Sequence, residues 1–467
     1  MASDDLCNLS AADVATLVAA RKTSPVEVVD AILARVDRLE PRLNMFAELT
    51  AETALASARA AEEAVMAGAP LGPLHGVPIT IKDNVAVAGL ALRNGSRAAA
   101  DVVAAADAAV VARIKAAGAV MIGKTTLPEF AHKVLTDSPL HGITRNPWSL
   151  DHTPGGSSGG ASAALACGIA PLAVGTDGGG SIRCPASCTG VAGIKATLGR
   201  IPNEVMPDGF ANFAFVGPMA RNARDVALLL SVMAGPLASD PYSLGAPTSD
   251  LRRPIPDQAA KGLRIGWIEH FGPYRTDPEV ARLTRAAVMA LAAEGALVEE
   301  LHDPCFDDVF ETYVVLATTA HATRLGPLAE RFGEAMTESL RTSIARGARY
   351  SSVEWQRAGD KRTTLFRSVQ RLFERFDIIA TPTMLAPPTR VDAGGSIETA
   401  MYAEWAAPLY PFNLTGHPAA SVPAGLTADG LPVGLQLVGP WFAEPRILDV
   451  AALLERLQGP ARQPPIV

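Results

Sequence analysis

The residue with the clearest chemical potential is Ser181, which follows a run of three glycines, Gly178, Gly179 and Gly180. Backbone N–H groups in such a run can converge on one point without a Cβ atom in the way, as the binding of a tetrahedral oxyanion requires. A short apolar strand at 171–174 is predicted to lead into this loop. A hydroxyl group beside such an oxyanion hole is placed to attack a carbonyl carbon, so the segment predicts acyl-transfer chemistry.

A serine needs a base before it becomes a strong nucleophile, and none of the eight histidines lies in a suggestive context. Lys82 is a better candidate because it ends an apolar stretch, 77–81. Burial would disfavour its ammonium form and bring its pKa towards the neutral range, where a lysine can act as a base. Taken alone, an exposed strand end is the simpler explanation of Lys82. Its combination with Ser181 favours the catalytic interpretation.

A second cluster of glycine and serine, 153–161, admits several interpretations. A flexible linker is disfavoured because the residues that follow are apolar. The pattern GxSxG of a nucleophile elbow occurs around Ser157 and again around Ser158. That elbow needs a strand immediately before it, and the preceding prolines do not suit a central strand. The pattern of a nucleotide-phosphate loop is not met either, so the anion favoured near these glycines is a developing oxyanion.

Predicted strands and helices alternate along the chain, which is typical of an α/β sheet with crossover connections. The clearest helix signal is the capping box that begins at Ser24, with a proline at the first helical position. Asp107 is expected to cap a later helix. Helices are predicted at 11–20, 25–38, 51–67, 108–117, 224–234, 278–293 and 445–457 and over most of 308–376, and strands at 76–81, 119–123, 171–174, 263–268, 298–301, 377–380 and 432–438.

The composition of the chain limits the binding partners and the cellular compartment that we expect for it. The formal net charge is −7 and no run of lysine and arginine marks a basic face, so nucleic acid is not an expected partner. The first residues have no positively charged or apolar signal region, and the longest uncharged stretch, 152–176, is rich in alanine and glycine. We therefore expect a cytoplasmic protein that does not engage a membrane.

Cysteine usage argues against both disulfides and a metal centre. The five cysteines are scattered, which is a poor disulfide framework. Cys184 and Cys188 are one helical turn apart, but no CxxC or HxxxH pair supplies the further ligands that a metal would need. We expect these two side chains to be small packing residues, and we expect neither a metal nor another cofactor.

Six ordered blocks of this sequence resemble the amidase signature family. The likeness is dense between about residues 72 and 220 and looser towards both ends. Six blocks in one order are a far more specific signal than one short pattern. The blocks are GVPITIKDN at 76–84, GKTTLPEF at 123–130, NPW at 146–148, PGGSSGG at 154–160, GTDGGGSIR at 175–183 and GVAGIK at 190–195.

The resemblance implies a triad of serine, cis-serine and lysine. The family's nucleophile falls on Ser181, its bridging serine on Ser157 and its lysine on Lys82. Where the family usually has threonine or isoleucine, this chain has Gly178. The remaining implied positions are the oxyanion-hole and substrate-binding residues Gly178, Gly179, Gly180 and Ala131, the last lining the acyl pocket, and the residues that brace the loop, Thr176, Asp177 and Arg183.

The resemblance also implies the fold and the domain organisation. We expect an α/β amidase signature fold, in which helices cover both faces of a large central mixed β-sheet. The chain, 1–467, is expected to form a single domain. Its parts are a helical N-terminal segment at 1–70, the signature core at 72–220, a surface loop excursion at 236–260, and a C-terminal half at 261–467 that completes the sheet and the substrate pocket.

The implied activity is hydrolysis of a linear, non-peptide carboxamide through an acyl-enzyme on Ser181, giving a carboxylic acid and ammonia or an amine. Esters would be cleaved by the same chemistry. The partner is then a small-molecule amide, and pocket walls from 130–136, 310–318 and 401–405 favour an aromatic or medium apolar acyl group. The alternative is an amidotransferase A-type subunit in a multi-subunit complex, which the acidic charge balance disfavours. A homodimer is expected from base rates alone.

Overall fold

Secondary structure extends over most of the chain. The structure is a computed structural model and describes residues 3–204, 208–247, 251–252, 256, 258–393, 404–460 and 462–467. Its strands are β1 (Phe46–Leu49), β2 (Pro78–Lys82), β3 (Val120–Thr125), β4 (Asp137–Ser138), β5 (Gly142–Ile143), β6 (Leu172–Asp177), β7 (Ala192–Lys195), β8 (Phe215–Ala220), β9 (Arg264–Trp267), β10 (Leu297–Glu300), β11 (Ile378–Pro382), β12 (Ala419–Leu426) and β13 (Pro432–Val438). Its helices are α1 (Ser3–Asn8), α2 (Ala11–Ala19), α3 (Pro25–Leu43), α4 (Ala51–Met66), α5 (Ala109–Ala116), α6 (Gly159–Ala166), α7 (Arg183–Thr189), α8 (Ala223–Met233), α9 (Pro278–Ala293), α10 (Val309–Phe332), α11 (Glu338–Gly347), α12 (Ser352–Arg375), α13 (Tyr410–Leu414) and α14 (Glu444–Gln458).

The main sheet has eleven strands in the order β1-β3-β2-β6-β8-β7-β12-β13-β11-β9-β10. It is mixed, since β2 pairs in parallel with both β3 and β6, whereas β6 pairs antiparallel with β8. Strands from the first and last thirds of the chain share this sheet. The expected α/β fold with a large mixed sheet is therefore confirmed.

The sheet is apolar on both of its faces. Successive residues of a strand point to opposite sides, and along β11 Ile378 and Ala380 belong to one apolar cluster whereas Ile379 belongs to another. The first cluster also contains buried residues of α3, α8, α9 and α14, and the second contains residues of α10, α12 and α13. Helices thus cover the sheet on both faces.

The pairing of β2 with β6 brings the predicted chemistry together. The two strands are parallel, with Ile79 opposite Leu172 and Ile81 opposite Val174. Parallel neighbours end at the same edge of a sheet, where ligands bind in many α/β proteins. Lys82 is the last residue of β2, and β6 ends at Asp177 just before the glycine loop. The sheet therefore delivers the lysine and the loop to one place.

Several sequence-based expectations differ from the structure. Asp107 does not cap α5: its carboxylate accepts hydrogen bonds from the Ala88 amide and from Lys115 Nζ, both at 2.8 Å, and is therefore committed elsewhere. The N-terminal segment is not helical throughout, because β1 pairs with β3 at one edge of the sheet. Within 236–260 the described residues form turns without strand or helix, and 248–250, 253–255 and 257 lie outside the described residues.

Helices α10 and α11 pack closely against each other. A Cβ atom built on Gly347, at the end of α11, would lie 1.9 Å from the backbone oxygen of Thr318 in α10. No side chain fits between the two backbones at this point. Among the described helices none combines the length and apolar character that a membrane span requires.

We expect Gly347→Ala to lower the free energy of unfolding by about 1–3 kcal/mol, because the new methyl group forces α10 and α11 apart. The matched control is Gly359→Ala in α12, where a Cβ atom would have nothing within 4 Å. This control should raise stability by about 0.5–1 kcal/mol, since alanine favours a helix over glycine. Chemical denaturation followed by circular dichroism measures both, and equal effects would contradict the close packing.

Candidate active site

Lys82 lies at the centre of a cluster of hydroxyl groups. Its Nζ atom is 2.7 Å from Ser157 Oγ, 2.9 Å from Ser158 Oγ and 2.8 Å from Thr176 Oγ1. The side chain is fully buried. The structure thus brings together two of the three predicted triad residues at hydrogen-bond distance, and the lysine is not an exposed strand end.

The electrostatics of this cluster favour the uncharged amine. Burial lowers the pKa of Lys82 well below its ordinary value, while the negative charge of Asp177 opposes this shift. A buried ammonium group loses its hydration, and three hydroxyl groups replace only part of it. The physical condition that makes a lysine usable as a base is therefore present at this position.

The serine pair is held by the turn that leads into α6. The peptide bond between Gly156 and Ser157 is cis, and Ser158 occupies the N-cap position of the helix. The backbone amide of Ser158 donates to the carbonyl oxygen of Ser181 at 3.2 Å. This bond ties the serine turn to the residue predicted as nucleophile. Ser157 is fully buried, and Ser181 keeps 7% of its surface exposed.

The glycine loop folds around the carboxylate of Asp177. The Gly180 amide donates to Asp177 Oδ1 at 2.7 Å, and the amide of Ile182 donates to Oδ2 at 3.2 Å. The Gly180 N–H is therefore occupied inside the loop. Gly178, Gly179 and Ser181 instead line the neighbouring cavity.

Arg183 holds that carboxylate from the other side. Its Nε atom donates to Asp177 Oδ2 at 3.0 Å and its Nη2 atom to Oδ1 at 2.9 Å, with both side chains fully buried. The guanidinium also donates to Gln436 Oε1 and Asn413 Oδ1. Burial by itself would raise the pKa of Asp177, but the charge and hydrogen bonds of Arg183 outweigh it and hold this pKa below its ordinary value. The two residues form a buried ion pair beside the glycine loop.

A cavity of about 130 Å³ opens beside these groups. Its lining includes the predicted residues Ala131, Ser157, Thr176 and Ser181 together with two of the loop glycines. Aromatic side chains form much of the remaining wall, namely Phe130, Phe213, Phe215, Tyr313 and Tyr410. The geometry suits a planar or apolar group bound next to the two serines.

Two histidines also line the cavity, although neither stood out in the sequence. His132 bonds to the Glu129 carbonyl at 2.6 Å and to Ser339 Oγ at 2.8 Å, and burial lowers its pKa to about 3. His321 bonds to Ser343 Oγ at 2.8 Å, and burial lowers its pKa to about 4. Both rings are neutral at neutral pH and engaged with neighbouring residues.

Sequence reasoning missed three residues of the site. Ser158 contacts Lys82, Asn84 Nδ2 donates to Thr176 Oγ1 at 3.0 Å, and the Tyr313 hydroxyl lies against Gly179, where it blocks any Cβ atom. Ser158 and Asn84 lie in the same sequence motifs as the predicted residues Ser157 and Lys82, so their positions in the sequence could have identified them. Tyr313 comes from a distant helix, and no local pattern marks it.

The predicted pocket walls are only partly correct. Five residues of 130–136 line the cavity, and from 310–318 Tyr313 and Ala317 do so. Within 401–405, residues 401–403 lie outside the described residues. Trp405 is buried elsewhere, with its indole nitrogen donating to the Ala386 carbonyl.

Known proteins share both the sequence and the fold of this chain. The Amidase family model matches residues 27–448. The chain is 38% identical over 462 residues to the A-type subunit of glutamyl-tRNA(Gln) amidotransferase from Synechococcus sp. (strain CC9605), covering 93% of each chain. It is 36% identical over 467 residues to an acylamidase of Rhodococcus erythropolis, covering 98% of this chain and 97% of that one.

A solved structure of a bacterial aryl acylamidase, an amidase signature enzyme, superposes with a TM-score of 0.88. It is 30% identical, and 96% of each chain is covered. With the family model and these relatives in agreement, the chain belongs to the amidase signature family of enzymes.

Replacing Arg183 with methionine should lower the free energy of unfolding by about 3–5 kcal/mol, because it leaves the Asp177 carboxylate buried without its cation. The matched control is Arg264→Met. Arg264 holds Asp377 in a similar two-point ion pair, but its side chain is 46% exposed, so this change should lower stability far less than the Arg183 change does. Urea denaturation of both variants is the measurement. Similar losses of unfolding free energy in the two variants would show that burial of the Asp177–Arg183 pair does not increase its contribution to stability.

Proposed function

We propose that this protein is an amidase that hydrolyses a linear carboxamide through a covalent acyl-enzyme on Ser181. The observation that carries the proposal is the fully buried Lys82, with its Nζ atom 2.7 Å from Ser157 Oγ. Its lowered pKa supports an uncharged base at neutral pH. Ser181 lines the same cavity as Ser157 and is the nucleophile in this proposal.

The hydrogen-bond pattern around Lys82 supports a direction for proton transfer. A neutral amine has two N–H groups and one lone pair, so it can serve three hydroxyl partners by donating twice and accepting once. The Ser158 hydroxyl donates to the Thr176 carbonyl at 3.3 Å, which leaves Ser158 Oγ as an acceptor for the amine. With Thr176 Oγ1 as the second acceptor, the lone pair is available to Ser157. Lys82 takes the proton of Ser157, and Ser157 takes that of Ser181.

The carbonyl oxygen of the substrate becomes negatively charged when Ser181 attacks. Backbone amides of Gly178, Gly179 and Ser181 are the proposed donors to this oxyanion. Gly180 was also expected among them, but its amide is bound to Asp177, so we assign it to the bracing of the loop. Asp177 and Arg183 then hold the loop shape, and Thr176 positions Lys82 through its hydroxyl.

After the amine departs with the proton returned through the same relay, water hydrolyses the acyl-enzyme to a carboxylic acid. The aromatic lining of the cavity supports an aromatic or medium apolar acyl group beside Ala131. The same chemistry extends to esters. We infer that residues 1–467 act as one amidase domain on a small molecule in the cytoplasm, without metal or other cofactor.

A second candidate is an amidotransferase component, favoured by the 38% identity to the A-type subunit of glutamyl-tRNA(Gln) amidotransferase. The two functions differ in whether the chain acts alone. Purified chain should hydrolyse simple aryl and alkyl amides without a partner. Activity that appears only after adding partner subunits and tRNA would favour the amidotransferase.

Ser181→Ala should lower kcat/KM for an anilide by at least about a thousandfold, because no acyl-enzyme can form. Ser157→Ala should also be severely impaired. Ser162→Ala is the matched control: Ser162 is fully buried, as Ser157 is, but its hydroxyl bonds to the Gly159 carbonyl within α6. Steady-state kinetics on the three variants provide the test, and normal turnover by the Ser181 variant would end the proposal.

Lys82→Arg should be nearly inactive, since a guanidinium keeps its proton in proteins. In the unmodified enzyme, kcat/KM should fall as the pH drops through the depressed pKa of Lys82, because the protonated amine cannot accept a proton. Lys115→Arg is the control, as Lys115 is 46% exposed and paired with Asp107. A full pH profile measures this effect. An unchanged acid limb in the Lys82→Arg enzyme would exclude lysine as the base.

A further inference from the structure

A second depression adjoins the catalytic cavity on the outer side of α10 and α12, and we call it the outer groove. Its volume is about 850 Å³, several times that of the cavity. Aromatic side chains from four separate parts of the chain line it, namely Phe210, Phe213, Tyr242, Tyr350, Trp355, Phe366 and Trp441. Such a concentration of aromatic surface suits an apolar ligand group of aromatic size.

The outer groove adjoins the catalytic cavity and shares part of its wall. Phe213, Ala320 and Arg324 line both of them. Phe213 stands with its ring edge towards Tyr313, at a centroid distance of 6.0 Å, and the Tyr313 hydroxyl in turn lies against Gly179 of the oxyanion loop. Few side chains therefore separate the groove from the glycine loop.

Hydrogen bonds hold the wall of the groove in place. The guanidinium of Arg362 donates to the backbone carbonyls of Leu414, Ala211 and Asn212, which joins α12 to α13 and to the chain before β8. The indole nitrogen of Trp441 donates to the Thr415 carbonyl. These bonds anchor side chains that line the groove to the backbone of neighbouring segments.

Two large apolar side chains of the groove remain in contact with water. Phe210 is 78% exposed and Trp355 is 40% exposed. Exposed aromatic side chains at a fixed depression are a common mark of ligand binding. Because the groove and the cavity share three wall residues, the simplest occupant is the remote part of the same substrate.

We propose that the outer groove binds an apolar, aromatic-sized group of the amide substrate, connected to the scissile bond by a short chain that passes Phe213 and Ala320. This inference rests on the proposed amidase function and specifies its substrate class: amides with two separated parts rather than small primary amides. The apolar group is attached either to the acyl part of the amide or to its nitrogen. In both cases the groove contacts the same kind of group.

The experiment compares propionamide with two isomeric phenylalkyl amides, one carrying the phenyl group on the acyl side and one on the nitrogen. We expect at least one isomer to have a kcat/KM well above that of propionamide. In Trp355→Ala, the ratio of kcat/KM for that isomer over propionamide should fall about tenfold, as expected when an apolar group loses a large aromatic contact. Met289→Ala, which removes a 52% exposed side chain outside the groove, should keep the ratio.

Binding measured without turnover separates failure of this inference from failure of the proposed function. In the Ser181→Ala background, calorimetric titration should give a weaker affinity for the preferred isomer when Trp355 is also replaced by alanine. Hydrolysis of propionamide and both isomers at equal efficiency would overturn the groove assignment while leaving the amidase intact. Unchanged affinity and an unchanged ratio in Trp355→Ala would also overturn it. Hydrolysis of none of the amides would overturn the function on which the inference rests.

Discussion

The burial of Lys82 is the constraint on which the site depends. A lysine in water would hold its proton, whereas this one lies at the end of a central strand among hydroxyl groups, with its pKa depressed by burial. The surrounding structure supplies what this placement requires. Ser157, Ser158 and Thr176 give the amine hydrogen-bond partners, and the counter-charge of Asp177 is turned mainly towards Arg183, so that it braces the loop without locking the lysine in its charged form.

Much of this arrangement could be predicted from local sequence, because its parts stand in short ordered motifs. The alternation of strands and helices indicated the α/β class, and the motif blocks brought Lys82, Ser157 and Ser181 into consideration. What local patterns could not provide is contact between distant segments. The edge strand β1 is too short for a periodic signal, and Tyr313 reaches the glycine loop only through the packing of α10. The capture of the Gly180 amide by Asp177 depends on loop geometry that composition does not encode.

The proposed reacting groups and the walls around them come from different parts of the fold. The proposed reacting groups come from strand ends and glycine turns, whose backbone is held by a buried ion pair and hydrogen bonds. Residues of α10 line both the cavity and the outer groove, and residues of α12 line the groove alone. Relatives of this chain could therefore change the walls while keeping the chemistry, which suits the different amidases that share its fold.

The parallel pairing of β2 with β6 makes the position of Lys82 sensitive to errors of strand register during folding. Side chains alternate between the two faces of a strand, so a slip of one residue in this pairing would turn the Lys82 side chain to the opposite face of the sheet. Such a misaligned chain could keep most of its helices and still lack the proposed base in the site. Enzyme activity would therefore reveal an error in strand register that spectroscopic measurements of secondary structure do not detect.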